Sequence, residues 1–253
     1  LSSIKEYLFD KQEEQAEEWI RERLSDQDLT LESEEWQDLL LEYSAYQDHL
    51  NDEYEWISEI KWLKENGSVD IYYNFTKELG TVKKLAQKSL SEQMPLNENL
   101  VIKMSYSYSV TLLEAFLGDT LKALMSENSV YLNNAITRID QLKNARYSLS
   151  DLTNFGTDLS ALAIRCVSEM LFHKIDKVIG VYEKTLGCKI NLDISKVQSI
   201  VEIRHDIVHR NGYTKENKVI DILPHDLYEA ISDIKIFSDE LQKIIESKMA
   251  HNK

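Results

Sequence analysis

The feature that most restricts this chain is its lack of punctuation: 253 residues contain only 7 Gly and 2 Pro. Folds built from many short strands need Gly and Pro at their turns, whereas long helices do not. An apolar fraction of 43% is enough for a core and argues against general disorder. The periodicity agrees with helix. Leu39, Tyr43, Tyr46, Leu50, Tyr54, Ile57 and Ile60, followed by Trp62 or Leu63, recur at three-and-four spacing, the pattern of an amphipathic helix. Asn66-Gly67 then signals a turn. A second long pattern runs from Glu98 to Ser126 through Leu100, Met104, Tyr108, Leu112, Leu113, Phe116, Leu117 and Leu121. Residues 157–186 read as one further helix, with Gly187 as its C-cap. Asp193 and Ser195 are N-cap candidates for a helix over 195–211 that stops at Asn211-Gly212. The alternation in 218–222 suggests a short extended piece, and Pro224 and Asp226 introduce a last helix over 225–248. The expected fold is all-α. Pro95 disfavours helix at Met94, so Gln93 to Asn97 reads as a connector between an N-terminal helical region, 1–95, and a C-terminal domain, 96–253.

Charge separates the two parts. The net charge of −15 argues at first against a nucleic-acid partner. Residues 1–60, however, hold 4 of the 29 basic and 19 of the 44 acidic residues, which leaves 25 of each sign in the rest. The acidity belongs to the N-terminal region, and the neutral remainder is free to form a local basic groove. All four tryptophans (Trp19, Trp36, Trp56 and Trp62) lie in the N-terminal region, as core, docking seam or partner surface. No stretch approaches the roughly 18–20 apolar residues needed to cross a bilayer. Lys5, Glu6 and Asp10 spoil a signal-peptide pattern. Cys166 and Cys188 form neither a disulfide framework nor a zinc-type pair. These observations lead us to expect a cytoplasmic protein with reduced thiols and no membrane partner.

The chemistry concentrates in Arg-His-Asp-Ile-Val-His-Arg-Asn-Gly, residues 204–212. Val197, Ile200, Val201, Arg204, Ile207 and Val208 share one helical stripe, so Arg204 sits among apolar side chains, where an unpartnered charge is costly. It needs a carboxylate, a backbone acceptor or a phosphate beside it. His209 follows about 140° further round an ideal helix, within reach of a long Arg side chain at the helix end. An imidazole exchanges protons near neutral pH. A guanidinium grips phosphate oxygens and stabilises charge that builds on them. Together they suit attack by an RNA 2′-hydroxyl on its neighbouring phosphorus without a metal. One such pair is sparse, and two chains meeting at this helix supply a second.

An Arg separated from a His by four to six residues, near the end of the helix before the last, resembles the hallmark of the HEPN ribonucleases. Arg204 and His209 have four residues between them, the polar residue after the Arg is His205, and Asn211-Gly212 follows. The helix around Tyr108 to Leu121, with Glu114, resembles the first HEPN helix, which often turns an acidic residue toward the Arg-His site. The resemblance spans about 98–248. It implies a four-helix up-down bundle and a metal-independent endoribonuclease that cuts RNA by transesterification, with no cofactor. It also implies a homodimer through the motif helix and a toxin or antiviral-defence role, with an antitoxin or other protein partner. Arg204 and His209 are then catalytic, with Glu114, His205 and Asp206 supporting them. Arg210, Asn211 and Lys215 are candidates to contact RNA. The Tyr that some toxins of this kind carry two residues after the His is Asn211 here, with Tyr213 displaced. The acidic N-terminal helices lie outside the common core.

Two other readings compete. Arg204 as a structural Arg, with His209 at a helix C-terminus where the dipole favours its cation, makes an inactive dimerisation or interaction protein whose acidic region binds a partner. His205 and His209, four apart on one helical face, form half of a zinc site, but Asp206 stands where such enzymes carry Glu and only His225 and Asp221 are downstream. His49, His173, His225 and His251 read as surface or structural residues.

Overall fold

The computed structural model describes residues 2–26, 28–91, 98–147 and 158–251. Among them are ten helices and no strand: α1 Ser2–Arg21, α2 Glu34–Glu65, α3 Ser68–Ser91, α4 Glu98–Glu127, α5 Ser129–Arg138, α6 Asp140–Lys143, α7 Leu159–Ser168, α8 Ile175–Leu186, α9 Ser195–His209 and α10 Pro224–His251. The all-α expectation holds. The expected boundary between 95 and 96 lies outside the described residues. The chain forms two compact units, Leu1–Lys61 and Trp62–Lys253.

The first unit has a small core of Ile20, Leu24 and Trp36, with Trp19, Leu29 and Leu39 packed around it. The Trp19 ring lies 5.5 Å from Tyr43 and 5.9 Å from Tyr46, and the Arg23 guanidinium sits 3.9 Å above Trp19. Glu35 ties the interhelical turn by accepting from the Ser25 backbone N–H and hydroxyl, which holds its carboxyl below the usual range. The expected apolar stripe of α2 is only partly used, since Tyr46, Leu50, Tyr54 and Ile57 stay exposed.

The second unit is built around α4. Phe116 to Met125 are buried on all sides except at Asp119, as expected of a helix enclosed by neighbours. Lys122, in that buried stretch, is neutralised by Asp119 at 2.8 Å. The start of α4 departs from expectation, with Leu100, Met104 and Tyr108 facing outward. On α3, Ile71, Phe75, Leu79, Val82 and Ala86 make one buried stripe. That stripe packs α3 on α4, with Phe75 stacked 4.7 Å from Phe116. Helices α7, α8, α9 and α10 also pack on α4. The Tyr182 hydroxyl of α8 donates to the Leu117 carbonyl at 2.7 Å, inside the core.

The helix expected over 157–186 is two helices. Asp158 caps α7 by accepting from the Ser160 N–H. Met170 N–H turns back to the Val167 carbonyl, Lys174 leaves helical geometry, and α8 starts at Ile175. No Gly or Pro marks this break. Gly187 closes α8 as expected, left-handed at φ 68°, with its N–H on the Glu183 carbonyl. The extended piece at 218–222 is the return arm of a small hairpin, with one antiparallel bridge from Val219 to Tyr213. Leu223 N–H donates to Asp226 Oδ2 at 2.9 Å, so Pro224 and Asp226 open α10 as half of a capping box.

Candidate active site

Val197, Ile200 and Val201 sink one face of α9 into the unit. Asp193 fixes where that helix begins by accepting from the Ser195 N–H and hydroxyl, and these bonds lower its carboxyl pKa. The buried stripe ends sooner than the spacing suggests, because Val208 is 49% exposed. Arg204 continues the stripe, and its guanidinium reaches Glu114 on α4. Arg204 Nη2 and Glu114 Oε2 are 3.9 Å apart, and both side chains are 21% exposed. That distance is an ion pair without a hydrogen bond. Arg204 Nε and Glu114 Oε1 are buried with no hydrogen-bond partner among the described residues. The guanidinium is thus held by charge while its donors stay largely uncommitted.

His205 and His209 lie one turn apart on α9 with ring centroids 4.6 Å apart. Both rings, with Arg204, line a cavity of about 300 Å³. The expected Arg204 and His209 are therefore brought together on one accessible cavity. The far wall comes from the break between α7 and α8, through His173 and Lys174, and from the first turn of α8, through Ile175 and Asp176. His173, expected from the sequence to be a surface or structural histidine, is part of this wall. Phe172, beside it, lies where a Cβ on Gly118 of α4 would come within 3.3 Å of its ring, so a glycine at that point lets the loop close on α4. Burial, then the neighbouring His209, Arg210, His173 and Arg204, lower the pKa of His205 and favour its neutral ring.

The helix end is firmly built. Asp206 pairs with Arg210, and the Asp206 carbonyl accepts from both Arg210 N–H and Gly212 N–H. Asn211 and Gly212 both take left-handed conformations, at φ 52° and 81°. A Cβ at Gly212 would lie 3.0 Å from Lys103 Nζ of α4. Asp206, Arg210, Asn211 and Lys215 do not line the cavity. Asp206 and Arg210 shape the turn below it, and Lys215 is exposed on the hairpin. His225 pairs with Asp226, and Asp221 meets Asn99. Among the described residues no group of three His, Cys, Asp or Glu side chains is arranged to hold a metal ion. No helix among them is long and apolar enough to cross a membrane. Gln198 and Glu202 also line the cavity. Their spacing to His205 and His209 was readable as a second stripe on α9, whereas nothing local pointed to His173 or Lys174.

Comparison with family models gives a match to RiboL-PSP-HEPN over residues 70–247. That span begins within α3 and ends within α10. Comparison with curated proteins and with solved structures gives no match.

Proposed function

The chain belongs to the RiboL-PSP-HEPN family, and from that premise we propose that it is a metal-independent endoribonuclease. The observation that carries this reading is the shared cavity: a charge-held but sparsely bonded guanidinium beside an accessible imidazole. Arg204 binds the nonbridging oxygens of the scissile phosphate and stabilises the charge that grows there. His209 takes the proton from the 2′-hydroxyl, whose oxygen bonds to phosphorus as the bond to the 5′-oxygen breaks. The products are a 2′,3′-cyclic phosphate and a 5′-hydroxyl end. Glu114 positions Arg204. His205, kept neutral, tunes His209 without adding a second positive charge. Asp206 and Arg210 brace the helix end, and Asn211 and Lys215 meet RNA outside the cavity.

A homodimer through α9 belongs to this reading. Ile203 and Val208 on α9, and Met104 and Tyr108 on α4, are exposed apolar side chains suited to a second copy. A second site brought close supplies another imidazole for the leaving oxygen. A toxin or phage-defence nuclease, restrained by an antitoxin or other protein, fits such an activity. One observation favours an inactive interaction protein: both motif arginines face carboxylates of their own chain, Glu114 and Asp206. Purified protein, RNA and a chelator separate the two. Cleavage that persists in EDTA and disappears in Arg204→Ala and His209→Ala supports the nuclease. RNA left whole across many substrates supports the interaction protein, and cleavage lost on chelation returns the His205/His209 pair to metal chemistry.

A further inference from the structure

A second cavity adjoins the first. It measures about 270 Å³ and shares Lys174 with the Arg204/His209 cavity, so one loop, 169–174, forms the partition between them. Its walls are Met170, Leu171, Phe172, Val178 and Val181, with Lys174 and Lys177 as its cations and Gln141 and Glu169 as its other polar side chains. Leu171 is 68% exposed, an apolar side chain in a loop that does nothing for the core. We propose that this cavity is a nucleobase subsite for the nucleotide next to the scissile phosphate. The inference rests on the nuclease reading above.

Three observations carry it. A nucleotide is apolar on its base faces and anionic at its phosphate, and this cavity pairs apolar walls with two lysines, of which Lys174 also lines the cavity of the phosphate-gripping arginine. Its volume is below the ~300–1,000 Å³ of sites for drug-sized ligands, the scale of one ring system rather than a larger molecule. The partition is fixed, because Phe172 is seated against Gly118 of α4, the helix that also carries Glu114. A strand whose phosphate meets Arg204 therefore has a neighbouring base beside Lys174. A base can enter only when unstacked and unpaired, which a duplex does not permit.

The test uses the full chain and a DNA oligonucleotide with a single ribonucleotide, so that one bond is cleavable. An abasic residue replaces the base on one side of that bond or the other. We expect one of the two abasic substrates to lose about tenfold in kcat/KM, the scale of one stacked base. Leu171→Asp and Lys177→Ala, both at exposed positions, should cut the intact substrate less well and lose the discrimination. Equal cleavage of intact and both abasic substrates, or discrimination that survives in Leu171→Asp, overturns the subsite. If the wild-type chain leaves the oligonucleotide whole, the nuclease reading fails, and fluorescence anisotropy decides the subsite separately. Single-strand binding that falls about tenfold on abasic substitution upholds it, and binding that is absent or indifferent to the base overturns it.

Discussion

Glu114→Gln separates positioning from simple charge. The substitution keeps the side chain's shape and removes its charge, leaving Arg204 partly buried without its counterion. At 3.9 Å, with an effective dielectric of 20, two unit charges attract by about 4 kcal/mol. Desolvation of both groups opposes this, and 21% exposure on each side admits solvent screening. A net effect of about 1–2 kcal/mol remains, equivalent to a fall in Tm of about 2–8 °C for a chain of this size. The kinetic signature is a split. The released guanidinium samples more positions, so kcat falls by about tenfold if 1.4 kcal/mol of orientation is lost. The lost carboxylate no longer repels the phosphate, so KM falls or stays level. Differential scanning calorimetry and steady-state cleavage of a single-site substrate read the two effects. An unchanged Tm with unchanged kcat would show that the pair carries no energy. A rise in kcat would show that Glu114 only repels substrate and positions nothing.

His209→Ala should lower the cleavage rate by about 10²–10⁴-fold, the range of a lost general base, with no loss of helix by circular dichroism. The His205 ring should titrate below its ordinary value of 6.5 in NMR, and His173→Ala should move it upward, since His173 is one of the charges opposing its cation. Because the unfolded chain binds that proton more tightly, His205 makes stability fall as pH drops through 6.5; His205→Asn should flatten the pH dependence of Tm there. Gly212→Ala forces a Cβ into a left-handed conformation against Lys103, a cost of about 1–2 kcal/mol seen as a lower Tm. Gly118→Leu should push Phe172 and its loop off α4, reducing cleavage more than it reduces helical content.

How much of this was legible depended on whether the signal was local. Arg204 on the apolar stripe, His209 at the helix end and the Asn211-Gly212 stop could be read from one helix, because spacing, capping and left-handed turns are properties of neighbouring residues. Glu114 was placed opposite the motif only through resemblance, since nothing within α4 distinguishes it from any other polar residue on a buried helix. The break between α7 and α8 was missed for a physical reason. Met170-Leu171-Phe172 follows the largely apolar stretch 161–167 after only Ser168-Glu169, and such a pattern reads as continued helix when neither Gly nor Pro interrupts it. What accompanies the break is tertiary: Phe172 finds a seat at Gly118 of α4, while Asp158 and Gly187 only fix the outer ends of the pair by local capping.

That misread segment bears most on function. A continuous helix over 157–186 would have kept His173 and Lys174 in a regular helical row. The break instead turns them onto the cavity that Arg204 and His209 line. The sequence-readable half of the site supplies chemistry, a proton acceptor and a phosphate grip, and these serve any phosphodiester. The tertiary half supplies walls, and walls discriminate among strands. Exchange of residues 169–174 for a polar loop of equal length should therefore leave α9 and its Arg204/His209 pair in place while changing which RNA is cut. Such a separation is what the fold predicts if catalysis resides on α9 and recognition on the loop that Gly118 admits.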